Sequence, residues 1–268
     1  MAPIAHATDI TVLASPAIRE AYAELVPRFE QTTGHKVKTT WVGTTEIVKR
    51  MQAREVFDVV IAAADTLEGL VDTGRIVAGS RQDIAASGVG VTVRAGAPKP
   101  NISSSEAVKR ALLAAKTVGI STGPSGVYMQ SLFERLGVAD AVKAKLKIPP
   151  SGGQVAELAA KGEVELGFQQ VSEIVHVRGA QYVGPLPADI QRITIFAGGV
   201  HAASPEPDAA LMLLQFLGLP DHAAVLQKHG LQSPAAGAHP PDSSNGPLSA
   251  DGAARIVSGT QKLATRFE

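Results

Sequence analysis

Cysteine is absent from this chain, aromatic residues supply only 4% of it, and its 25 basic side chains are matched by 25 acidic ones. Each absence excludes something. Without cysteine there are no disulfides, thiol nucleophiles or thiolate metal sites, and oxidising and reducing compartments are equally open. A formal net charge of zero provides no global field to steer the protein toward nucleic acid or an acidic membrane, so any anion site has to be local. No apolar run approaches the ~20 residues that span a bilayer, and no membrane insertion is expected. The seven histidines are scattered, none at i, i+4 spacing beside an acid, which leaves a metal site without support.

What is present is a long aliphatic chain. At 268 residues, 45% hydrophobic, it has room for two lobes whose cores are built from Ala, Val, Leu and Ile, and a monomer is expected. Near the start, Ala5-His6-Ala7 followed by Thr8-Asp9 reads like the small-x-small end of a cleaved export signal, which points to a periplasmic location.

Extended apolar runs alternate with amphipathic stretches: Ile10–Ala14 then Ile18–Gln31, Val37–Val42 then Glu46–Ala53, Asp58–Ala62 then Thr66–Asp72. Strands separated by helices imply parallel pairing and a doubly wound sheet. The extended stretch Gly88–Arg94, ended by the Gly- and Pro-rich Ala95–Pro100, reads as a first crossing between lobes. A second strand-helix series follows: helices at Ser103–Ala115, Gly126–Leu136 and Gln154–Ala160, strands at Thr117–Ile120 and Val164–Phe168. Ile190–Val200 reads as the return crossing, leading into helices at Ala209–Leu217 and His222–His229. The expected fold is therefore α/β, two doubly wound lobes joined by two extended hinge crossings. Residues 8–92 with 197–268 form lobe one and 93–196 form lobe two. Ser233–Ser249 reads as an irregular tail and is assigned no chemistry.

Several strands end in a small hydroxyl or glycine cluster that opens a helix: Ala14-Ser15-Pro16-Ala17, Gly43-Thr44-Thr45-Glu46, Gly123-Pro124-Ser125-Gly126 and Ser151-Gly152-Gly153-Gln154. Each presents free backbone N–H groups and the positive end of a helix dipole. One such junction is an ordinary capped helix. Four of them at the carboxyl edges of two sheets would converge on one crevice and hold a small oxyanion or carboxylate without a buried lysine.

In the order and spacing of these pieces, roughly residues 9 to 232, the chain resembles the type II periplasmic binding proteins, specifically the molybdate-binding-protein-like branch. The resemblance is carried by Val12-Leu13-Ala14-Ser15, Gly43-Thr44-Thr45, Phe57–Ala63, Pro124-Ser125-Gly126-Val127-Tyr128 and Gly162–Phe168. It implies a solute-binding protein that captures a small anion and delivers it to an ABC-type permease. In molybdate binders a serine after the first strand, a serine at the second junction, a backbone turn, a valine amide and a tyrosine hydroxyl hold the oxyanion. Ser15 matches the first, Thr44 or Thr45 the second, Ser125 the turn and Val155 the amide. Where the tyrosine should follow Leu166-Gly167, this chain has Phe168-Gln169-Gln170. A glutamine pair offers donors and acceptors and better suits a di- or tricarboxylate than a compact oxyanion. Arg94 at the crossing would add a bidentate carboxylate contact, or is a surface arginine ending a strand. Tyr128, one turn into its helix, covers the ligand or packs between lobes. The expected ligand set is thus Ser15, Thr44, Thr45, Arg94, Ser125, Gly126, Tyr128, Gln154, Val155, Gln169 and Gln170, with no cofactor.

The same branch is similar to aconitate isomerase, an enzyme on this fold that interconverts tricarboxylate isomers. That alternative needs a proton donor or acceptor, and Ser15, Thr45, Tyr128 and His201 are the candidates, none of them compelling. Gly123-Pro124-Ser125-Gly126-Val127 fails as a hydrolase elbow because Val127 stands where G-x-S-x-G needs glycine. Gly88-Val89-Gly90 lacks the third glycine of a dinucleotide fingerprint, and no phosphate-binding P-loop motif occurs.

Overall fold

The computed structural model describes residues 7–234. The expectations for the start at Ala5-His6-Ala7 and for the tail at Ser233–Ser249 lie almost wholly outside the described residues.

Lobe one opens with β1 (Asp9–Ala14), α1 (Arg19–Thr33, after a 3-10 turn), β2 (Lys36–Trp41), α2 (Thr44–Gln52), β3 (Val59–Ala63) and α3 (Ala64–Asp72). β4 (Gln82–Arg94) carries the chain into lobe two, which contains α4 (Ser105–Ala114), β5 (Val118–Ile120), α5 (Pro124–Arg135), α6 (Ala139–Lys143) and β6 (Leu146–Lys147). The rest of lobe two is α7 (Val155–Lys161), β7 (Leu166–Gln170), α8 (Val171–Ile174) and β8 (Ala180–Pro185). β9 (Ile193–Val200) returns the chain to lobe one, closed by α9 (Pro207–Leu217) and α10 (Ala223–Lys228).

Alternation along the strands explains why each sheet is covered on both faces. Ile10, Val12, Ala14, Val59 and Ile61 pack with α1, α9 and α10, while Leu13, Val60 and Ala62 point the other way against α2 and α3. Residues i and i+2 share a face, so each strand feeds two cores. Lobe two has its own core, in which Val89, Val91, Val118, Ile120 and Phe168 meet α4, α5 and α6. On the opposite face α7 approaches closely, because Gly119 and Gly167 leave no side chain where Val155 sits; a Cβ on either would lie 2.7 Å from Val155 Cγ1.

The strands that alternate with helices pair in parallel, as the pattern predicts: β1 with β2 and β3, β5 with β6 and β7. The two crossing strands do not. β4 and β9 are antiparallel to each other and to their neighbours in both lobes. β4 pairs with β9 through Gly88, then with β7 from Val89, so the change of partner falls inside the strand and ahead of the boundary expected at 92/93. At the return crossing Gln191 takes the place of a strand: Val89 N–H donates to its Oε1 at 2.8 Å and its Nε2 donates to Val89 O at 3.1 Å.

These directions place the site. β3 ends at Ala63 opposite Phe196, near the start of β9, and β7 ends at Gln170 opposite Val89. The carboxyl edges of both sheets therefore face the hinge, and the helix-opening junctions of both lobes meet there.

Candidate functional site

At the first junction Ser15 is buried, its Oγ accepting from Ala17 N–H at 3.4 Å while its own N–H donates to Ile61 O. Pro16 opens the turn that leads to Arg19 at the head of α1. At the second, Gly43 precedes α2 without a side-chain cap, and Thr44 and Thr45 form its first turn. Gly43 N–H donates to Ser151 Oγ of lobe two at 3.0 Å, and Gly43 lies so close to Thr122 that a methyl group there would meet Thr122 Oγ1. The lobes touch at these junctions.

At the third, Ser125 is buried with its Oγ 3.0 Å from Ser121 Oγ, and Gly126 is obligatory because a Cβ would land on Ser121 O. At the fourth, Gln154 precedes α7 and Val155 is fully buried. Gln169, fully buried, reaches across to accept from Ala156 N–H at 3.2 Å, and so satisfies one of the free donors of α7. Its Nε2 makes no hydrogen bond of ordinary geometry and lies on the side of Glu173.

Three expected contacts are placed elsewhere. Gln170 spends its amide on the hinge: oriented as its neighbours require, it donates to Ser87 O at 3.0 Å and Gly88 O at 3.2 Å and accepts from Thr194 Oγ1 at 3.1 Å. Tyr128 donates to Ile190 O at 2.7 Å and accepts from Arg135 at 2.7 Å, which makes it a brace within lobe two. Arg94 ends β4 opposite Ala180, and since β4 runs antiparallel to β7 this is the edge of lobe two away from the hinge. There Arg94 lies against Gly162 and is exposed.

His201, a candidate proton carrier, is likewise corrected. It follows β9 at the end away from the hinge, with its N–H on Asp58 O and its Nδ1 accepting from Ala203 N–H at 3.1 Å. Burial, and then the charge of Arg75, lower its pKa.

Two residues that the sequence does not single out complete the cleft. Arg19, from lobe one, lays its guanidinium 5.3 Å over the Trp41 ring, and its buried Nε has no hydrogen-bond partner. Glu173, from α8 in lobe two, is 9% exposed. Burial pushes its pKa up to about 7, while the neighbouring Gln169 amide, the Arg19 charge and the Gln170 backbone offset only part of that rise. Both line a cavity of about 420 Å³ together with Glu20, Gln154, Ser172 and His176. A cavity of that size is within the range of small-molecule sites, ~300–1,000 Å³. It adjoins the first junction through Arg19 and the fourth through Gln154, and of the expected ligand residues only Gln154 lines it.

A family model described as bacterial extracellular solute-binding protein matches residues 10–232. Aconitate isomerase of a Pseudomonas species is 36% identical over 231 residues, 84% of this chain and 88% of that protein. The molybdate-binding protein ModA of Azotobacter vinelandii is 28% identical over 236 residues, 86% and 92% of the two chains. Among solved structures, the periplasmic molybdate-binding protein of Azotobacter vinelandii superposes with a TM-score of 0.70 at 20% identity, covering 84% of this chain and 99% of that one. The sulfate-binding protein SubI of Mycobacterium tuberculosis H37Rv superposes at 0.68 and 19% identity, covering 86% and 89%.

Proposed function

The chain belongs to the bacterial extracellular solute-binding proteins, and from that premise we propose that it binds a small unsaturated polycarboxylate of the aconitate class between its lobes and interconverts the isomers. The cavity carries this reading. It brings an arginine with an unpartnered Nε and a buried carboxylate to one place, with the Gln169 amide next to that carboxylate. Buried donors without acceptors mark a place where a ligand or water completes the bonding. A guanidinium can bond a carboxylate with two parallel N–H donors, and an amide beside it adds a further donor. The 36% identity to aconitate isomerase, against 28% to a molybdate binder, agrees in direction. Ser15, Thr44, Thr45, Ser125 and Val155 at the neighbouring junctions supply the remaining donors in this reading.

Capture for import is the second reading, favoured by the family match and the molybdate-binding relatives. In it the same carboxylate site serves a periplasmic receptor that docks on an ABC-type permease, and closure is driven by ligand contacts made to both lobes at once.

A thermal-shift series with molybdate, sulfate, citrate, cis-aconitate and trans-aconitate tests the ligand class, because a ligand selective for the folded state raises its midpoint by mass action. Stabilisation by the tricarboxylates is expected, and stabilisation by molybdate alone removes the carboxylate reading. Incubating trans-aconitate with substoichiometric protein, with proton NMR of the cis isomer, separates enzyme from receptor. Turnover supports isomerisation; tight binding without turnover leaves the receptor.

A further inference from the structure

We propose that Glu173 is the proton-transferring residue of the cleft, taking a proton from a methylene carbon of the bound polycarboxylate and returning it at the other end of the allylic system. The assignment rests on the isomerase reading above.

The chemistry is simple to balance. In −OOC–CH2–C(COO−)=CH–COO−, one methylene C–H bond breaks and its proton moves to the Glu173 carboxylate. The electron pair left behind becomes a new carbon–carbon double bond, and the old π pair shifts to the former vinylic carbon. That carbon takes the proton back from Glu173, forming one C–H bond for the one broken. The skeleton is unchanged and the double bond has moved, so its geometry is set anew. No oxidant, metal or cofactor is consumed.

Position singles out Glu173. Among the described residues it and Asp58 are the buried carboxylates, and Asp58 lies beneath lobe one at the edge away from the hinge. Glu173 sits one turn beyond the carboxyl end of β7 and lines the interlobe cavity, with Arg19 facing it from the other lobe. A guanidinium there counters charge that builds on the substrate's carboxylates as the proton leaves. A proton carrier works best with a pKa near the working pH. Burial supplies that here, bringing the carboxyl up to about 7. The other charged groups around the cavity are Glu20, Glu157, His176 and Arg178, and the pKa of His176 is lowered by burial and then by His229.

The test is Glu173→Gln, assayed for trans-aconitate turnover, for exchange of substrate methylene hydrogen with D2O, and for thermal stabilisation by trans-aconitate. The expected result is loss of turnover and exchange by roughly 10²–10⁴-fold with stabilisation by ligand retained. In the wild type, kcat/KM should rise through a limb near pH 7 that the variant's residual activity lacks. Wild-type turnover that survives in the variant within a few-fold, or a limb that persists in it and disappears in His176→Gln, overturns the assignment while leaving the isomerase reading standing. Ligand binding by the wild type with neither turnover nor exchange overturns both and leaves the receptor. If Glu173→Gln does not fold, Glu173→Asp takes its place; its shorter side chain should lower turnover and exchange with little change in KM, and unchanged turnover overturns the assignment.

Discussion

Two carboxylates are buried among the described residues, and they are treated in opposite ways. Asp58, just before β3, accepts from Thr11 N–H and Oγ1 at 2.7 Å each, from Ser204 Oγ at 2.6 Å and from Glu206 N–H at 3.3 Å. Burial alone would raise its pKa, but these bonds outweigh burial and hold it below the ordinary carboxylate value. Glu173 is held more sparsely, by the Gln169 amide and the Gln170 backbone beside the Arg19 charge, and burial wins. The first ties together β1, β3 and the chain leading into α9. The second gains nothing for the fold from its charge. A buried charge that is fully bonded is a structural part, and one left under-bonded beside a cavity is held there at a cost to stability, which marks it for chemistry.

The contrast can be broken by substitution. Asp58→Ala leaves Thr11, Ser204 and the head of α9 without their acceptor and should cost roughly 4 kcal/mol in urea unfolding. Glu173→Gln should act in the other direction. Its carboxyl titrates at about 7 in the folded protein against an ordinary 4.5. The folded state therefore binds this proton more tightly, so the stability it contributes is complete below about pH 4.5 and lost as pH rises through 7. At pH 8 the variant should exceed the wild type by roughly 2 kcal/mol without ligand, and near pH 4 the two should coincide. Equal stabilities at pH 8 would remove the claim that this charge is under-compensated. Asp58 runs in the opposite sense, since its lowered pKa contributes stability above the ordinary carboxylate range that fades as pH falls through the lowered value.

Smaller effects sharpen the boundary between the two regions. Gly43→Ala places a methyl group against Thr122 where the lobes meet and should weaken trans-aconitate binding about tenfold by calorimetry, with little change in melting temperature. His201→Gln, on the Asp58 side, should change that affinity by less than about twofold.

The strand-helix alternation made the lobes legible, because apolar spacing changes period between Ile10–Ala14 and Ile18–Gln31 and again at each later pair. Strand direction is not carried by spacing. A cleft position for Arg94 or His201 requires that an extended stretch leaving or re-entering a lobe end there. β4 and β9 in fact have the hinge at Gly88–Val89 and Ile193, and both residues sit at the distal ends. The hydroxyl-rich junctions were visible, since helix starts write themselves in Ser, Thr, Gly and Pro. Glu173 was not, because an acid on a short helix looks like any exposed acid until the other lobe covers it. The signal available was its position, three residues beyond Gln170 at a further strand-to-helix junction, one that lacks glycine and proline.

Gln191 has a consequence for how this family is read. Its amide answers both the donor and the acceptor of Val89 at the point where one lobe hands over to the other. Glutamate would lose the donor and asparagine the reach. Selection on the bonding of this crossing alone is thus enough to hold a glutamine at this position, and an alignment that showed it unvarying would be recording structure, not chemistry.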